Sequence, residues 1–420
     1  MNLLYNGAIG LYSLVARLAS IKNEKVAKMI EGQRQTVHAL RKAFGKNGCD
    51  VWIHAASLGE FEQARPLIER LKREQPDKKI LLTFFSPSGY EVRKNYQYAD
   101  CVAYLPFDTP SGVKDFMDAA NPRMAVFVKY EFWGNYLQEL RRRNVPAYII
   151  SAIFRPSQPF FRRWGGMFRD MLDCFTHLYV QDEDSRQLLD GIGVRNVTVN
   201  GDTRFDRVTD VMASTFDIPA VGRFMQEASM AFIAGSSWPE DEKIYVPWLN
   251  RHASDGVRAI IAPHEFDEER LGALLSEFGG DAVLLSSVEE NAEVPAGKRV
   301  IVVDSFGKLS SLYRYGSLAY IGGGFGAGIH NINEAAVYGM PIVFGPKYSK
   351  FKEARDLIAI GGASSVNDSS GCSKVLDTYL SNKALVEDAS RLTADYIKRN
   401  IGATDKIFRD LFSSQHKTKS

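Results

Sequence analysis

A glycine-rich segment in the C-terminal half carries residue types suited to binding a nucleotide. A predicted strand, Leu318 to Ile321, runs into a series of glycines, and a helical pattern starts near Asn331. Glycines at such a turn let backbone N–H groups approach an anion, and a helix N-terminus adds positive potential. Glu334, in the first turn of this helix, could hold a pair of ribose hydroxyls, although an acid there is also an ordinary capping arrangement. The segment predicts a nucleotide-sugar pocket, with Gly323 and Gly324 in its phosphate-binding turn.

A second candidate group follows a predicted buried strand in the N-terminal half. Here Ser57, Gly59 and Glu60 open a helix. The spacing Ser57-x-x-Glu60 fits a capping box, in which Glu60 bonds back to the Ser57 amide, and local propensity favours this structural role. Alternatively, Glu60 extends from the strand end as a general base, because the helix dipole stabilises an ionised carboxylate that accepts a proton at neutral pH. The residues alone leave both roles open.

These candidates lie within an alternation of short apolar strands and amphipathic helices that starts at residue 51. Such alternation predicts mostly parallel sheets with helices on both faces. A looser stretch, Asp206 to Ala228, interrupts the pattern. We therefore predict an α/β chain of two doubly wound, Rossmann-like domains, whose ligands bind in the cleft between them, beyond the carboxyl ends of the strands. The predicted strands are Val51 to Ala55, Lys79 to Phe84, Cys101 to Leu105, Met124 to Val128, Ala147 to Ile150, His177 to Gln181, Ala231 to Ala234, Ala259 to Ile261, Ala282 to Leu285, Val300 to Val303, Leu318 to Ile321 and Ile342 to Phe344.

Composition narrows the classes of function. The 52 basic and 50 acidic residues give a formal net charge of +2, which argues against a general nucleic-acid binder. The four cysteines are widely spaced, so they indicate neither a disulfide framework nor a zinc site, and they favour a reducing cytosolic compartment. No obvious Asp-x-Asp pair stands in a suitable loop, and we expect neither a metal nor a cofactor.

The N-terminal residues 1–21 contain no acid and many apolar side chains, and Lys22, Lys25 and Lys28 follow at helical spacing. The apolar run is interrupted and barely reaches the ~20 residues that a membrane-spanning helix needs. One interpretation is an interfacial helix on an anionic cytoplasmic leaflet, and the other is a helix packed on the protein itself.

Five motifs occur in an order found in one family, and they are specific in combination although each is weak alone. On these motifs the chain resembles the 3-deoxy-D-manno-octulosonic acid (Kdo) transferases, which prime the inner core of lipopolysaccharide. The resemblance implies a GT-B fold and an inverting transfer from CMP-Kdo to the lipid A precursor (lipid IVA) at the cytoplasmic side of the inner membrane. It also implies that Glu60 deprotonates the acceptor hydroxyl. The motifs are Ser57-Leu58-Gly59-Glu60, Glu131-Phe132-Trp133-Gly134-Asn135, Gly201-Asp202-Thr203-Arg204-Phe205-Asp206, Gly235-Ser236-Ser237 and His330-Asn331-x-x-Glu334-Ala335-Ala336.

The resemblance and the strand pattern together predict the organisation of the chain. Residues 1–30 form a membrane-interface helix, and residues 31–205 form the acceptor-binding domain. A linker over 206–228 leads to the donor-binding domain, 229–385. Residues 386–420 form a C-terminal helix and a frayed tail, which is polar after Ser413.

On the donor side, the resemblance places the CMP phosphate near the end of a predicted strand, at Gly235, Ser236 and Ser237. A helix cap, Ser237-x-x-Glu240, is the competing structural role, and the following acids would repel a phosphate unless they point away. The resemblance also involves His264 in donor recognition, at a position where the family usually has an arginine. A surface histidine is the competing interpretation. We expect His330 and Asn331 to shape the glycine loop.

Glu131 is the main rival to Glu60, because it too follows a predicted strand, Met124 to Val128. We expect it to support catalysis or to bind the acceptor, and a plain helix-start acid is the alternative. The family often has an acid where this chain has Lys129 and a proline where it has Gly134. These departures leave the role of the segment open.

The window from Arg141 to Arg169 holds seven arginines, no acid and several interleaved aromatic residues. Arginine binds phosphate groups in a bidentate manner, and aromatic side chains favour the membrane interface. A nucleic-acid groove would use the same residue types, but the balanced net charge argues against it. We expect the lipid acceptor to be bound by Ser57, Gly59, Arg155, Arg162 and Arg163.

Three other functions remain to be distinguished. Another GT-B enzyme, transferring from a UDP-sugar to a polyprenyl or lipid acceptor, would differ in its donor nucleotide. A dinucleotide-dependent oxidoreductase would use the Gly322-x-Gly324-x-x-Ala327 match, but no acid stands about twenty residues beyond it. A non-catalytic scaffold at the membrane surface would transfer no sugar.

Overall fold

The computed structural model describes residues 3–213 and 216–413, so the predicted frayed tail after Ser413 lies outside the described residues. The chain divides into two compact units. Unit 1 comprises Met1–Arg207 and Ile401–Ser420, and unit 2 comprises Val208–Asn400.

Unit 1 is built on a seven-stranded parallel sheet of order β3-β2-β1-β4-β5-β6-β7. Its strands are β1 Val51–His54, β2 Ile80–Phe84, β3 Cys101–Tyr104, β4 Met124–Val128, β5 Ala147–Ala152, β6 His177–Val180 and β7 Val197–Val199. Its helices in this part of the chain are α1 Leu3–Ala19, α2 Glu24–Phe44, α3 Leu58–Glu74, α4 Pro87–Arg93, α5 Pro110–Ala120, α6 Gly134–Arg142, α7 Gly166–Leu172 and α8 Glu183–Asp190.

The central strands of this sheet are covered on both faces, as continuous apolar runs predict. Successive residues of β1 belong to different cores, because side chains alternate along a strand. Trp52 packs in the core that includes residues of α2, α5 and α6, whereas Ile53 packs in the core that includes residues of α3. Both side chains are fully buried. The carboxyl end of β1 is thereby held rigidly in the middle of the sheet.

Unit 2 contains a second seven-stranded parallel sheet, of order β10-β11-β9-β8-β12-β13-β14. Its strands are β8 Met230–Ser237, β9 Val257–Pro263, β10 Ala282–Leu284, β11 Val300–Val302, β12 Leu318–Ile321, β13 Ile342–Phe344 and β14 Ala363–Ser365. The helices from the end of unit 1 onward are α9 Arg204–Ala213, α10 Pro219–Gln226, α11 Pro239–Arg251, α12 Glu268–Ser276, α13 Leu285–Asn291, α14 Leu309–Leu312, α15 Asn333–Ala336, α16 Lys352–Ile360, α17 Ser369–Ser381 and α18 Lys383–Asn400.

Each of the twelve predicted strands overlaps a strand of the structure, and the predicted α/β class with two doubly wound sheets is confirmed. Two strands, β7 and β14, were not predicted. Both lie at a sheet edge and have three residues. The stretch expected as a loose linker, 206–228, instead contains most of α9 and the whole of α10.

The chain returns to unit 1 after α18, through a last short helix, α19 Ala403–Phe408. Asp206 holds its N-terminus, because its carboxylate accepts hydrogen bonds from the N–H groups of Gly402 (2.5 Å) and Thr404 (2.6 Å). Ile407 and Phe408 then pack in the same core as α3. The segment 386–420, expected as one C-terminal helix and tail, is therefore divided between the two units.

Helix α1 packs on unit 1 by one side and exposes apolar residues on the other. The Tyr5 hydroxyl donates to Asp108 Oδ2 (2.6 Å), and the Tyr12 ring contacts Phe85 and Phe107. Within residues 3–213 and 216–413, no helix has the length and apolar character needed to cross a bilayer. The large apolar side chains exposed near the N-terminus are Leu3, Leu4, Leu11, Leu14, Val15, Leu18 and Ile21.

Candidate functional site

The candidate residues of unit 1 flank the point at which its strand order reverses. The chain winds outward from β1 through β2 to β3, then crosses back to β4 on the other side of β1. Ligands of doubly wound sheets bind at such a switch point, beyond the carboxyl ends of the strands. Glu60 follows β1 and Glu131 follows β4, so the topology brings both carboxylates to this end of the sheet.

Glu60 lies in the first turn of α3, half-buried. Ser57 is the N-cap residue, but its side chain makes no capping bond to the backbone. Instead, the Ser57 hydroxyl donates a hydrogen bond to Glu60 Oε2. The capping box that local propensity favoured is therefore not formed in its usual way. The serine orients the carboxylate, and the position near the helix N-terminus stabilises its negative charge.

Glu131 is fixed by two donors that meet at one of its oxygens. Trp133 Nε1 donates to Glu131 Oε2 (2.7 Å), and His54 Nε2 lies 3.2 Å from the same oxygen. The Glu131 side chain is 12% exposed and that of His54 is fully buried. With Oε2 held on the protein side, Glu131 Oε1 is the oxygen left to meet a ligand.

His54 is held in turn by a hydrogen-bonded chain that extends across β1 and β2. Trp52 Nε1 donates to Thr83 Oγ1 (2.8 Å), and Thr83 Oγ1 lies 2.9 Å from His54 Nδ1. His54 Nδ1 also lies 3.1 Å from the Thr83 carbonyl oxygen, so both ring nitrogens of this buried imidazole have protein partners. The network makes Glu131 an oriented carboxylate with limited freedom.

The departures of this segment from the family pattern have structural consequences. Lys129 has a left-handed backbone (φ 66°), and its Nζ lies 5.3 Å from the centre of the Tyr130 ring. The Gly134 N–H, at the start of α6, donates to the Tyr5 hydroxyl (3.1 Å). A proline at this position would lack that N–H. The segment that carries Glu131 is thus joined to α1.

The predicted acceptor arginines lie on the surface after β5. Arg155, Arg162 and Arg163 are exposed, and none forms an ion pair within the part of the chain that the structure describes. Gly59 is exposed and Ser57 is half-buried at the start of α3. The charge of these arginines is therefore available to an anionic ligand.

The rest of the arginine window has a different role from the one its composition indicated. Arg142 and Arg143 pair with Glu139, outside the window, so they do not offer unopposed charge. Phe154 and Phe160 are 3% and 4% exposed and pack in the core. Among the interleaved aromatic residues, Trp164 is the strongly exposed one, at 69%. The expectation of an aromatic membrane surface here is corrected accordingly.

In unit 2, the candidate residues again flank a switch point, between β8 and β12. The two strand ends are joined by a hydrogen bond from Gly322 N–H to the carbonyl of Gly235 (2.9 Å). A Cβ on Gly322 would collide with the backbone of Ser236, so glycine is required for this close approach. The predicted turn is thus present, and Gly235 lies buried within it.

Two of the acids after Ser237, Asp241 and Glu242, are buried inside the domain, and Asp241 bonds the glycine turn from within. Asp241 is fully buried and accepts hydrogen bonds from the N–H groups of Gly323 (2.8 Å) and Trp238 (3.0 Å). Burial raises the pKa of the Asp241 carboxyl. Glu242 pairs with Arg270. The Gly323 N–H, expected to face an anion, is therefore already occupied.

The two serines of this turn differ in accessibility. Ser237 is 1% exposed, and its hydroxyl bonds Tyr245 (2.7 Å) and Glu242 (3.2 Å), so this hydroxyl is held inside the domain. The predicted Ser237-x-x-Glu240 cap is replaced by Trp238 as the N-cap residue of α11. Ser236 has a left-handed backbone (φ 51°) and is half-buried. It presents the more accessible hydroxyl to a ligand.

Glu334 is oriented by two side chains at the start of the short α15. Asn331 Nδ2 donates to Glu334 Oε1 (2.9 Å), and the Ser310 hydroxyl donates to Oε2 (3.2 Å). Asn331 Oδ1 also accepts a hydrogen bond from the Asn333 N–H (3.2 Å). Asn331 thus supports both the first N–H group of α15 and the Glu334 carboxylate. The helix that starts here is a single turn of four residues, shorter than the sequence pattern indicated.

A stack of three rings lies at the ends of β8, β9 and β12, and it includes a residue that was not predicted. The rings of His264 and His330 are 4.1 Å apart at an interplanar angle of 25°, and Trp238 lies 4.8 Å from His264. Trp238 Nε1 donates to His330 Nε2 (2.9 Å). Burial, with a further contribution from His264, lowers the pKa of His330 to about 4. His330 is therefore neutral at pH 7 with its proton on Nδ1.

The described residues contain no group of three or more His, Cys, Asp or Glu side chains arranged to hold a metal ion.

Two doubly wound parallel sheets, each with polar residues at its switch point, define a protein of the GT-B class. A family model described as 3-deoxy-D-manno-octulosonic-acid transferase (kdotransferase) matches residues 17–207. The chain is similar to this family over that range, and its curated relatives are named as Kdo transferases, which are glycosyltransferases.

Individual relatives agree with this assignment. The chain is 26% identical over 318 residues to the 3-deoxy-D-manno-octulosonic acid transferase of Aquifex aeolicus (strain VF5), covering 74% of this chain and 80% of the relative. It is 29% identical over 339 residues to the enzyme of the same name from Bordetella pertussis, covering 74% and 75%. UDP-GlcNAc 2-epimerase from Neisseria meningitidis, bound to UDP-GlcNAc, is similar in fold, with a TM-score of 0.60, 14% identity and coverage of 87% and 100%. These similarities favour a glycosyltransferase over the oxidoreductase and the non-catalytic scaffold.

Proposed function

We propose that this Kdo glycosyltransferase moves Kdo from CMP-Kdo to the lipid A precursor (lipid IVA), with inversion, at the cytoplasmic face of the inner membrane. The donor and acceptor are those that similarity to this family implies. The observation that carries the mechanism is the position of Glu60, an oriented, half-buried carboxylate beyond β1 at the switch point of unit 1.

In the proposed reaction, Glu60 accepts the proton of the acceptor hydroxyl. The hydroxyl oxygen attacks the anomeric carbon of Kdo from the face opposite the nucleotide. A new carbon–oxygen bond forms, and the bond to the phosphate oxygen breaks, so CMP leaves with the electron pair. The transition state has oxocarbenium character, as in glycoside hydrolysis, and a base placed at the attacking oxygen lowers its energy.

We assign donor binding to unit 2, within the predicted range 229–385. Glu334, oriented by Asn331 and Ser310, accepts hydrogen bonds from the ribose hydroxyls. The Gly324 amide and the Ser236 hydroxyl hold the phosphate, whereas Gly323 and Ser237 support the turn from inside. Because CMP leaves as a monophosphate of modest charge, amides and hydroxyls are sufficient to stabilise it in this proposal.

The ring stack supports a further part of the donor site. His264 stands where the family usually has an arginine, and it stacks on His330 and Trp238. Because His330 is neutral at pH 7, its ring contributes an aromatic surface rather than a cation. Such a surface suits contact with a base or a sugar face.

We assign acceptor binding to unit 1, within the predicted range 31–205. Arg155, Arg162 and Arg163 are exposed and unpaired within the described residues, as binding the phosphates of a lipid acceptor requires. Ser57 and Gly59 adjoin Glu60 and contact the acceptor beside the reacting hydroxyl. The exposed apolar side of α1, within the predicted membrane-interface segment 1–30, lies on the anionic membrane that contains the acceptor.

The direct test is to incubate the purified protein with CMP-Kdo and lipid IVA and to weigh the product by mass spectrometry. We expect a product heavier by one or more Kdo residues. Isothermal titration with CMP and with UDP identifies the donor nucleotide, and we expect binding of CMP. Transfer from a UDP-sugar, with no transfer from CMP-Kdo, would contradict the proposal.

A further inference from the structure

A polar cavity lies in unit 1 between α1, α2 and the start of α5, and neither Glu60 nor Glu131 lines it. Its volume is about 260 Å³, and its wall includes Ser13, Arg17, Arg34 and Ser111. None of these residues belongs to the catalytic or donor-binding groups described above. The cavity has the features of an anion site.

Two arginines supply most of the charge in the wall. Arg17 is exposed, and its guanidinium has no ion pair within the described residues. Arg34 lies 3.5 Å from Glu31, but both side chains are largely exposed, so this pair is weak. Asp115 also lines the cavity, which leaves one net positive charge in the wall. Guanidinium groups in this setting favour a phosphate.

The start of α5 adds backbone donors. This helix has 11 residues and no acid in its first turn. Thr109, its N-cap residue, accepts a hydrogen bond from the Gly112 N–H (3.3 Å), whereas the Ser111 N–H has no partner among the described residues. An N–H group without a partner at a helix N-terminus is in position to donate a hydrogen bond to an anion.

A largely buried serine in the same wall is an independent indication of a ligand. Ser13, on α1, is 6% exposed and has no hydrogen-bond partner within the part of the chain that the structure describes. The hydroxyl lines the polar cavity and lacks a protein partner among the described residues, so it is available to donate a hydrogen bond to a ligand there. A phosphate oxygen would accept its proton.

The position of the cavity on α1 indicates where the phosphate comes from. Ser13 and Arg17 are one helical turn apart on α1, with Ser13 on the buried side of the helix and the exposed Arg17 at its edge. The opposite side exposes Leu11, Leu14 and Leu18. When this apolar side enters a bilayer, Arg17 extends along its edge to the level of the headgroups.

We propose that this cavity binds the phosphate group of a membrane phospholipid and so fixes α1 at the membrane surface. The inference rests on the membrane association that the proposed function includes, and it adds a specific headgroup site to it. Arg17 and Arg34 bind the phosphate oxygens, and the Ser111 N–H and the Ser13 hydroxyl donate the remaining bonds.

The test measures binding of the full chain to phosphatidylcholine vesicles that carry one of two anionic lipids at equal surface potential. One lipid is phosphatidic acid, and the other, cholesterol hemisuccinate, has a carboxylate and no phosphate. We expect the wild-type protein to prefer the phosphate vesicles by ~10-fold. The carboxylate lipid has no phosphate group, so it loses charge-assisted hydrogen bonds that the phosphate makes in the cavity. Arg17→Gln with Arg34→Gln should abolish this preference, and Ser13→Ala, which changes no charge, should reduce it.

The matched control is Lys22→Gln with Lys25→Gln, which removes the same charge from exposed residues outside the cavity. This variant should bind both kinds of vesicle less tightly and keep the preference for phosphate. An unchanged preference in the arginine or the Ser13 variant would overturn the inference. Inorganic phosphate that binds without vesicles and displaces them at constant ionic strength would identify a free anion, rather than a lipid, as the ligand. The readout is vesicle binding and not Kdo transfer, so the two proposals can fail separately. A protein that transfers Kdo but does not prefer phosphate vesicles refutes only this inference. A protein that prefers phosphate vesicles but does not transfer Kdo refutes only the proposed function.

Discussion

His54 Nε2, on β1, lies 3.2 Å from Oε2 of Glu131, which follows β4, although the two residues are 77 positions apart in the chain. The contact joins the two strands that flank the switch point of unit 1. It is completed by Thr83 on one side of the imidazole and by Trp133 on the carboxylate. Glu131 is therefore a supported carboxylate, and Glu60, which is bonded by a serine hydroxyl, is the better candidate for a base that must exchange a proton.

The His54 network contributes to stability. Replacing His54 by Phe keeps a ring of similar size but leaves the Thr83 hydroxyl and Glu131 Oε2 each without one partner. Unsatisfied buried polar groups are unfavourable, so we expect a loss of about 1–3 kcal/mol in the free energy of unfolding, measured by urea denaturation. His38→Phe, at an exposed position on α2, is the matched control and should change little. Equal stability of the two variants would show that the network is not formed.

His330 predicts a pH dependence of stability. Its pKa is lowered in the folded state from the ordinary value of 6.5 to about 4, mainly by burial. Between these values the unfolded state binds a proton that the folded state does not, so stability is fully present above pH 6.5 and falls as the pH is lowered towards about 4. We expect this loss to be smaller in His330→Asn, measured by urea denaturation across that pH range. An identical pH dependence in the two proteins would contradict a depressed pKa.

Asp206 is predicted to anchor the C-terminal helix of unit 1. Asp206→Ala removes the acceptor for the N–H groups of Gly402 and Thr404, and loss of such a cap costs about 0.5–2 kcal/mol. Hydrogen exchange should become faster at these amides and through α19, with little change in unit 2. Asp388→Ala, which breaks a largely exposed pair with Arg391, is the control and should leave exchange in α19 unaltered.

The exposed arginines after β5 are predicted to bind the acceptor and not the donor. Replacing Arg162 and Arg163 by Ser should weaken binding of lipid IVA by ~10-fold or more and leave CMP binding unchanged. Arg142→Ser, which removes an arginine already paired with Glu139, tests whether any loss of positive charge has the same effect. Equal loss of lipid and CMP binding in the double variant would contradict the assignment.

The fold was predictable because an apolar run of strand length indicates a strand that is buried on both faces of a sheet. The short edge strands β7 and β14 were not predicted because neither is an apolar run. In β7, Thr198 and Val199 are exposed, and β14, Ala363–Ser365, consists of small residues. The resemblance to Kdo transferases and the glycosyltransferase class were likewise predictable, and the comparisons bear out both.

The contacts that orient the site were not predictable from local sequence. Asp241 occupies the Gly323 amide from 82 positions away, and Trp238 reaches His330 across 92 positions. From the glycine motif alone, every N–H group of the turn was expected to be equally available to a phosphate. Local rules also failed at Ser57, where the hydroxyl bonds a side chain instead of the helix backbone. The individual site roles stay predictions, and they depend on these long-range contacts.

The most direct test of the mechanism is the rate of Kdo transfer by Glu60→Gln. Glutamine can still accept the hydrogen bond from the Ser57 hydroxyl, so the protein should fold with unchanged stability, but it cannot take a proton. The control is Glu74→Gln, at the exposed end of the same helix, which should transfer at the wild-type rate. We predict that Glu60→Gln lowers transfer from CMP-Kdo by at least ~100-fold. Near-normal transfer by this variant would contradict the assignment of Glu60 as the base and would favour Glu131 in its place.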